Sequence, residues 1–268
     1  MNLLLELSEL RKSFGGVAAV AGASFGVAEG SITAVIGPNG AGKSTVFNLA
    51  SGFMRPDTGS IRFGGADITG RRADAVARAG LVRAFQTARV LTRMTVEENM
   101  RLAARAQPGE RLGAAWLMPR TVARREEEVC ARAAELLGLI RLQHLARDYA
   151  GALSGGQRKL LELGRALMAE PRMLLLDEPM AGVAPVLAEQ LLDHIRVLRA
   201  EHGITICVIE HDMDVVMSLS DRVIVMDEGR VIAQGTPEEV QRNDKVIEAY
   251  LGRLAGAEAD RLAEQAAS

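Results

Sequence analysis

The chain has 268 residues, 48% of them hydrophobic, which is enough to bury a substantial core and excludes a disordered tail. Lys and Arg number 32 against 34 Asp and Glu, a net charge of −2, so no global field draws the chain to nucleic acid or anionic lipid. Cys130 and Cys207 lie far apart with neither CxxC nor Cys/His metal spacing, which excludes a disulfide framework or zinc site and fits a reducing cytoplasm.

The opening MNLLLELSEL carries acids where a signal peptide needs basic residues. No apolar run approaches the roughly 18 residues of a membrane span, so any membrane role is expected to be peripheral. Residues 31–36 (SITAVI), 173–176 (MLLL) and 204–209 (ITICVI) are short apolar runs, as expected of parallel strands buried on both faces. Between the first two, the spacing of Val122, Val129, Leu136 and Ile140 predicts a helical stretch over 96–145. Pro108 and Gly109, then Gly113 and Pro119, break it into at least two pieces, with Gly138 a further break or cap; the region reads as an inserted helical subdomain. Residues 222–226 and 230–233, joined by Asp-Glu-Gly at 227–229, predict a hairpin. The Ala- and Glu-rich stretch 253–268 reads as a frayed helix or tail.

The chemistry begins at residues 37–45, GPNGAGKST, where Gly37, Gly42, Lys43 and Ser44 satisfy G-x-x-x-x-G-K-[ST] between an apolar strand and a helical pattern. Gly37, Pro38, Asn39, Gly40, Ala41 and Gly42 form a loop whose backbone N–H groups turn inward on phosphate oxygens. Lys43 then reaches the β/γ phosphates, Ser44 can ligate Mg²⁺ and Thr45 adds a hydroxyl, so the ligand implied is ATP with Mg²⁺. MLLLDEP places Asp177 and Glu178 at the carboxyl end of a buried strand, where ligands bind in open α/β sheets. Asp177 suits the Mg²⁺ shell, and Glu178 is placed to orient or deprotonate the attacking water. A lone Asp-Glu pair at a strand end more often serves a turn or cap. The pairing with the first motif reverses that preference.

LSGGQ at 153–157 precedes a helical pattern. Alone it fits an ordinary helix start capped by Ser154. Lying between the two nucleotide motifs, it resembles the signature of ABC-type ATPases, and the resemblance spans residues 3–252. It implies an α/β fold, a P-loop NTPase (ABC-type) core with mainly parallel sheet, an antiparallel β portion and an inserted helical subdomain. Residues 1–87 and 161–252 would form the core, 88–160 the subdomain and 253–268 the tail. It also implies that Ser154, Gly155, Gly156 and Gln157 meet the γ-phosphate held by a second ATPase subunit, identical or paralogous. Gln86, in RAFQ, resembles the glutamine that contacts Mg²⁺ and the attacking water; His211, in VIEHDM, resembles the histidine that contacts the γ-phosphate; Phe14 stands where an aromatic ring stacks on adenine. The implied catalytic set is Glu178, His211 and Gln86, and the implied metal set is Ser44, Gln86 and Asp177.

After Pro179 such ATPases often have a loop ending in an aspartate that touches the opposite subunit, whereas here Ala184 holds that place. AGVAP, IEHDM and the ending VIEAYLG look most similar to ATPase subunits of high-affinity branched-chain amino-acid importers. That implies transmembrane permease subunits, indirectly a solute-binding protein, and a peripheral place on the cytoplasmic face of the inner membrane. Val90, Leu91 and Met94, among Arg89 and Arg93, are a candidate surface for a permease helix. Trp116, Leu117 and Met118 are a second apolar cluster that reads equally as subdomain core. An ATPase of a lipid or polysaccharide exporter is an alternative, as is an ABC ATPase acting on nucleic acid or ribosomes. Against the last stand the short insertion, the single cassette and the lack of a basic patch, so no nucleic-acid partner is expected.

Overall fold

A computed structural model describes residues 2–84, 90–105 and 119–249. The first half runs β1 (Leu3–Phe14), β2 (Val17–Ala28), β3 (Ile32–Ile36), α1 (Lys43–Ala50), β4 (Thr58–Phe63), β5 (Ala66–Asp67), α2 (Ala73–Ala79), β6 (Leu81–Ala84) and α3 (Val96–Leu102). There follow α4 (Pro119–Leu139), α5 (Gly155–Met168), β7 (Met173–Asp177), α6 (Pro185–Ala200), β8 (Thr205–Ile209), α7 (Met213–Leu219), β9 (Arg222–Asp227), β10 (Arg230–Gly235) and α8 (Pro237–Gln241). The chain forms two compact units, one of Met1–Ala79 with Thr205–Ser268 and the other of Gly80–Ile204.

The first unit holds an antiparallel sheet in the order β2-β1-β4-β5 and four strands in the order β10-β9-β3-β8. β3 lies parallel to both neighbours, with Ala34 opposite Val208 on one side and Val223 on the other. Every residue of β3 and β8 is buried, which is why both read as near-continuous apolar runs, interrupted only by the buried Thr33 and Thr205, rather than alternating ones. The expected hairpin is β9 and β10, each running on beyond the predicted strand. Its turn residues Glu228 and Gly229 have φ of 45° and 76°, the doubly left-handed geometry that matches strand twist in a two-residue turn.

In the second unit β6 and β7 pair in parallel, Leu81 opposite Met173, and all five residues of β7 are buried. The predicted helical stretch divides, as expected, but not where every breaker stands. Pro119 opens α4 instead of interrupting it, since the first helical position has no N–H bond to lose. Gly138 lies inside the last turn of α4. Its helix penalty of roughly 1 kcal/mol is outweighed by burying Leu136, Leu137 and Ile140, at about 1.5–3 kcal/mol each. The expected breakers Pro108, Gly109 and Gly113 lie outside the described residues, as do Trp116, Leu117, Met118, Gln86, Arg89 and the 253–268 tail. Among the described residues no helix is long and apolar enough to cross a membrane.

α6 begins at Pro185 with Ala184 as its N-cap, in extended geometry (φ −63°, ψ 145°) and with no side chain to accept the first-turn N–H groups. Ala184→Asn supplies that acceptor without changing the backbone, so it is expected to stabilise the fold by about 0.5–2 kcal/mol. The thermal midpoint should rise by roughly 2–4 °C per kcal/mol. An unchanged midpoint would show that the cap geometry is not used.

Candidate nucleotide-binding site

In the first unit, β3 ends at Ile36, the loop 37–42 follows and α1 starts at Lys43. Two close approaches explain why the glycines sit where they do. A β-carbon on Gly37 (φ 145°) would stand 2.0 Å from the Met226 carbonyl oxygen, and one on Gly42 (φ 95°) 2.3 Å from that of Ala19. The loop is thus wedged between β9 and β2, and any side chain at these positions forces backbone apart. The hairpin turn completes the wedge: Gly229 N–H donates to the Ala41 carbonyl (3.1 Å), and Ala21 N–H donates to the Gly229 carbonyl (2.8 Å). Asn39 and Gly40 are exposed at the loop tip, while Ala41 is buried.

Lys43 is only 7% exposed, and its Nζ donates to the carbonyls of Gly37 (2.6 Å) and Pro38 (3.0 Å). The ammonium is therefore held over the loop by main-chain carbonyls, where a phosphate would offer it a charged acceptor. Gly42 caps α1 without a side-chain acceptor, so the first N–H groups of the helix, including those of Ser44 and Thr45, are available to an anion. Ser44 and Thr45 are both partly exposed. Phe14 ends β1 with its ring 47% exposed and the Lys12 ammonium 5.8 Å from its centroid; the ring is an open face, not core. His211, exposed just after β8, has its backbone N–H on the side chain of the preceding Glu210, which is itself 1% exposed.

In the second unit, Asp177 closes β7 and is 5% exposed. Its carboxylate accepts a hydrogen bond from Arg83 of β6 at 2.5 Å, the Arg83 side chain being 4% exposed. Arg83 belongs to no motif and sequence reading passed over it, since nothing ahead of the structure marks 81–84 as a strand; with β6 in place, its buried charge demands a counter-charge. Removing either partner strands the other, at about 3–5 kcal/mol. Glu178 follows, partly exposed and in the left-handed region at φ 50°. For a residue other than glycine such a backbone is costly and collects at functional turns.

Ser154 caps α5 in a reciprocal box: its Oγ accepts from Gln157 N–H (3.3 Å), and Gln157 Oε1 accepts from Ser154 N–H (2.9 Å). The plain reading of SGGQ as a helix start is thus realised. It leaves the signature reading intact, because an accepting hydroxyl keeps its own proton to donate outward, and Ser154 and Gly155 are exposed.

Val90 departs from expectation. It is buried, 9% exposed, while Leu91 is 40% exposed and Met94 partly so. The loop that follows is held by Asn99 of α3, fully buried, which sequence reading also missed. It accepts from Leu91 N–H (2.9 Å) and donates to the carbonyls of Leu91 (3.0 Å), Met94 (3.4 Å) and Thr95 (2.9 Å), pinning residues 91–95.

Comparison with known proteins agrees with these motifs. Residues 20–181 match the ABC transporter family model, and residues 230–255 match a model described as branched-chain amino acid ATP-binding cassette transporter. The chain is 42% identical over 249 residues to the high-affinity branched-chain amino acid transport ATP-binding protein BraF of Pseudomonas aeruginosa, covering 93% of this chain and 98% of that protein. It is 42% identical over 253 residues to the probable branched-chain amino acid transport ATP-binding protein LivG of Archaeoglobus fulgidus, covering 93% of this chain and 95% of that protein. A crystal structure of a nucleotide-free ATP-binding cassette from an ABC transporter superposes with a TM-score of 0.80 at 40% identity, covering 93% of this chain and 99% of that one. A crystal structure of the ADP conformation of such a cassette gives 0.80 at 39%, covering 94% and 100%. The strand–loop–helix junction at Lys43, the aspartate-ended strand β7 and the capped signature helix thus sit in a chain that belongs to the ABC transporter family of ATP-binding, ATP-hydrolysing proteins.

Proposed function

We propose that this chain is the ATP-hydrolysing motor of an importer for branched-chain or related amino acids, peripheral at the cytoplasmic face of the inner membrane. The observation that carries the solute class is the 42% identity to BraF over 93% of the chain, together with the separate match at 230–255. In this reading the loop 37–42, Lys43 and Thr45 hold the triphosphate, and Phe14 presents its exposed ring to adenine. Glu178 and His211 act on the attacking water and γ-phosphate, with Gln86, which lies outside the described residues, as the third member of the set. Ser154, Gly155, Gly156 and Gln157 lean on the ATP of a second ATPase subunit, identical or paralogous.

The residues present fit Mg²⁺. The Ser44 hydroxyl and the Asp177 carboxylate are hard oxygen donors, and Gln86 would add an amide oxygen. When bound, the ion neutralises charge on the β- and γ-phosphate oxygens. Asp177 is oriented for this by Arg83, which holds one carboxylate oxygen.

Permease subunits would carry the solute, and a solute-binding protein would act through them. Leu91, exposed beside Arg93 on the loop that Asn99 pins, supports a docking surface for a permease helix. Leu91→Glu is expected to lower recovery of permease with the ATPase severalfold without changing ATP affinity. Full recovery and coupled transport would remove Leu91 from that role.

The function is tested in proteoliposomes containing the whole transporter. ATP hydrolysis should rise severalfold with leucine, isoleucine or valine and the binding protein. Stimulation by lipid or polysaccharide instead, or salt-sensitive stimulation by nucleic acid, would overturn the assignment.

A further inference from the structure

Lys159 stands in the second turn of α5, two residues beyond the SGGQ box, and its side chain leaves the helix for the turn after β7. Its Nζ donates to the carbonyls of Glu178 (3.3 Å), Pro179 (2.9 Å) and Ala181 (2.6 Å). Three acceptors from four consecutive residues converge on one ammonium, whose three rotatable donors match them. The backbone curls to allow this. Glu178 is left-handed at φ 50°, Gly182 at φ 69°, and Ala181 N–H turns back on the Glu178 carbonyl at 3.2 Å. A second contact joins the same parts: Gly156 packs so closely on α6 that a β-carbon there would meet Leu187 Cδ1 at 2.4 Å. Arg158 holds the other side of the box, donating to the Gly151 carbonyl at 2.7 Å.

We propose that Lys159 is a positioning residue for ATP hydrolysis: it fastens the turn carrying Glu178 to the helix whose amino terminus is the signature, so that the Glu178 carboxylate is aligned only while that helix is seated. The inference rests on the proposed role of Glu178 and extends it. An unfavourable left-handed backbone at a carboxylate persists when its surroundings over-determine it, and here a charged donor holds the carbonyl of that same residue. Movement of α5 on contact with a partner's nucleotide would be passed to the Glu178 carbonyl by the Lys159 ammonium.

The test is steady-state and single-turnover ATP hydrolysis in the assembled transporter. Lys159→Met, which keeps the stem and removes the donors, should lower kcat ten- to hundredfold with KM for ATP within twofold. In a Glu178→Gln background it should cost nothing further, because the group it aligns is gone. Restoring a near-isosteric ammonium, by aminoethylating Lys159→Cys in a Cys130→Ser background, should recover most of kcat; Cys207 is buried with its thiol pKa pushed up, so it stays unmodified. Lys159→Gln, with two amide donors, serves the same measurement should the Met variant not fold and is expected to fall between it and the parent. A kcat within twofold of the parent, or a full additional loss on top of Glu178→Gln, would overturn the proposal. Near-parental turnover by Glu178→Gln alone would instead overturn the role of Glu178.

Discussion

Glu178→Gln is expected to bind ATP within about twofold of the parent and to hydrolyse it roughly 10²–10³-fold more slowly, the scale of losing one preorganised transition-state contact. The substitution is nearly isosteric, and Lys159 holds the main-chain carbonyl of residue 178 rather than its side chain, so the turn keeps its anchors. What disappears is the carboxylate's ability to orient and accept a proton from water. A loss in kcat with unchanged affinity places Glu178 in the chemical step; a rise in KM at unchanged kcat would place it in binding instead. Isothermal titration with ATP and a single-turnover assay separate these outcomes.

Lys43→Ala should do the opposite, weakening ATP binding by roughly 10–100-fold, the equivalent of about 1.5–3 kcal/mol for a hydrogen bond to a charged group. Two losses combine. The cation opposite the β/γ phosphates is removed, and the carbonyls of Gly37 and Pro38 lose the ammonium that holds them. The second loss is confined to the loop tip, because Gly37 and Gly42 remain wedged against Met226 and Ala19. The melting curve should therefore move little while the titration changes greatly. Unchanged ATP affinity would contradict the placement of Lys43 on the phosphates.

The parts of this molecule that could be read ahead of the structure are those whose physics is local. A parallel strand buried on both faces is apolar nearly throughout, so 31–36, 173–176 and 204–209 identified themselves and carried the loop and the Asp177–Glu178 pair with them. The Asp-Glu-Gly turn announced its hairpin for the same reason. What the sequence kept back depends on neighbours distant along the chain. Arg83 and Asp177 are 94 residues apart, and Lys159 reaches carbonyls 19 to 22 residues away; no spacing rule links them. Asn99 looked like an ordinary helix residue, yet its side chain satisfies a loop that would otherwise bury bare backbone groups. Pro119 marks a boundary as expected, by opening a helix, whereas the break or cap expected at Gly138 is overridden by a buried leucine pair.

Half-sites follow from the account. The first unit holds Lys43, the second ends its signature helix on an exposed Ser154, and the proposed function has that serine complete another subunit's ATP site. Sedimentation of Glu178→Gln protein with Mg²⁺ and ATP, alone and mixed with the companion cassette of the same transporter, tests this directly. In one of the two samples the mass should double on adding ATP, with two nucleotides retained per pair, and Ser154→Arg should prevent it. A chain that saturates with ATP and keeps its single mass in both samples would contradict the account.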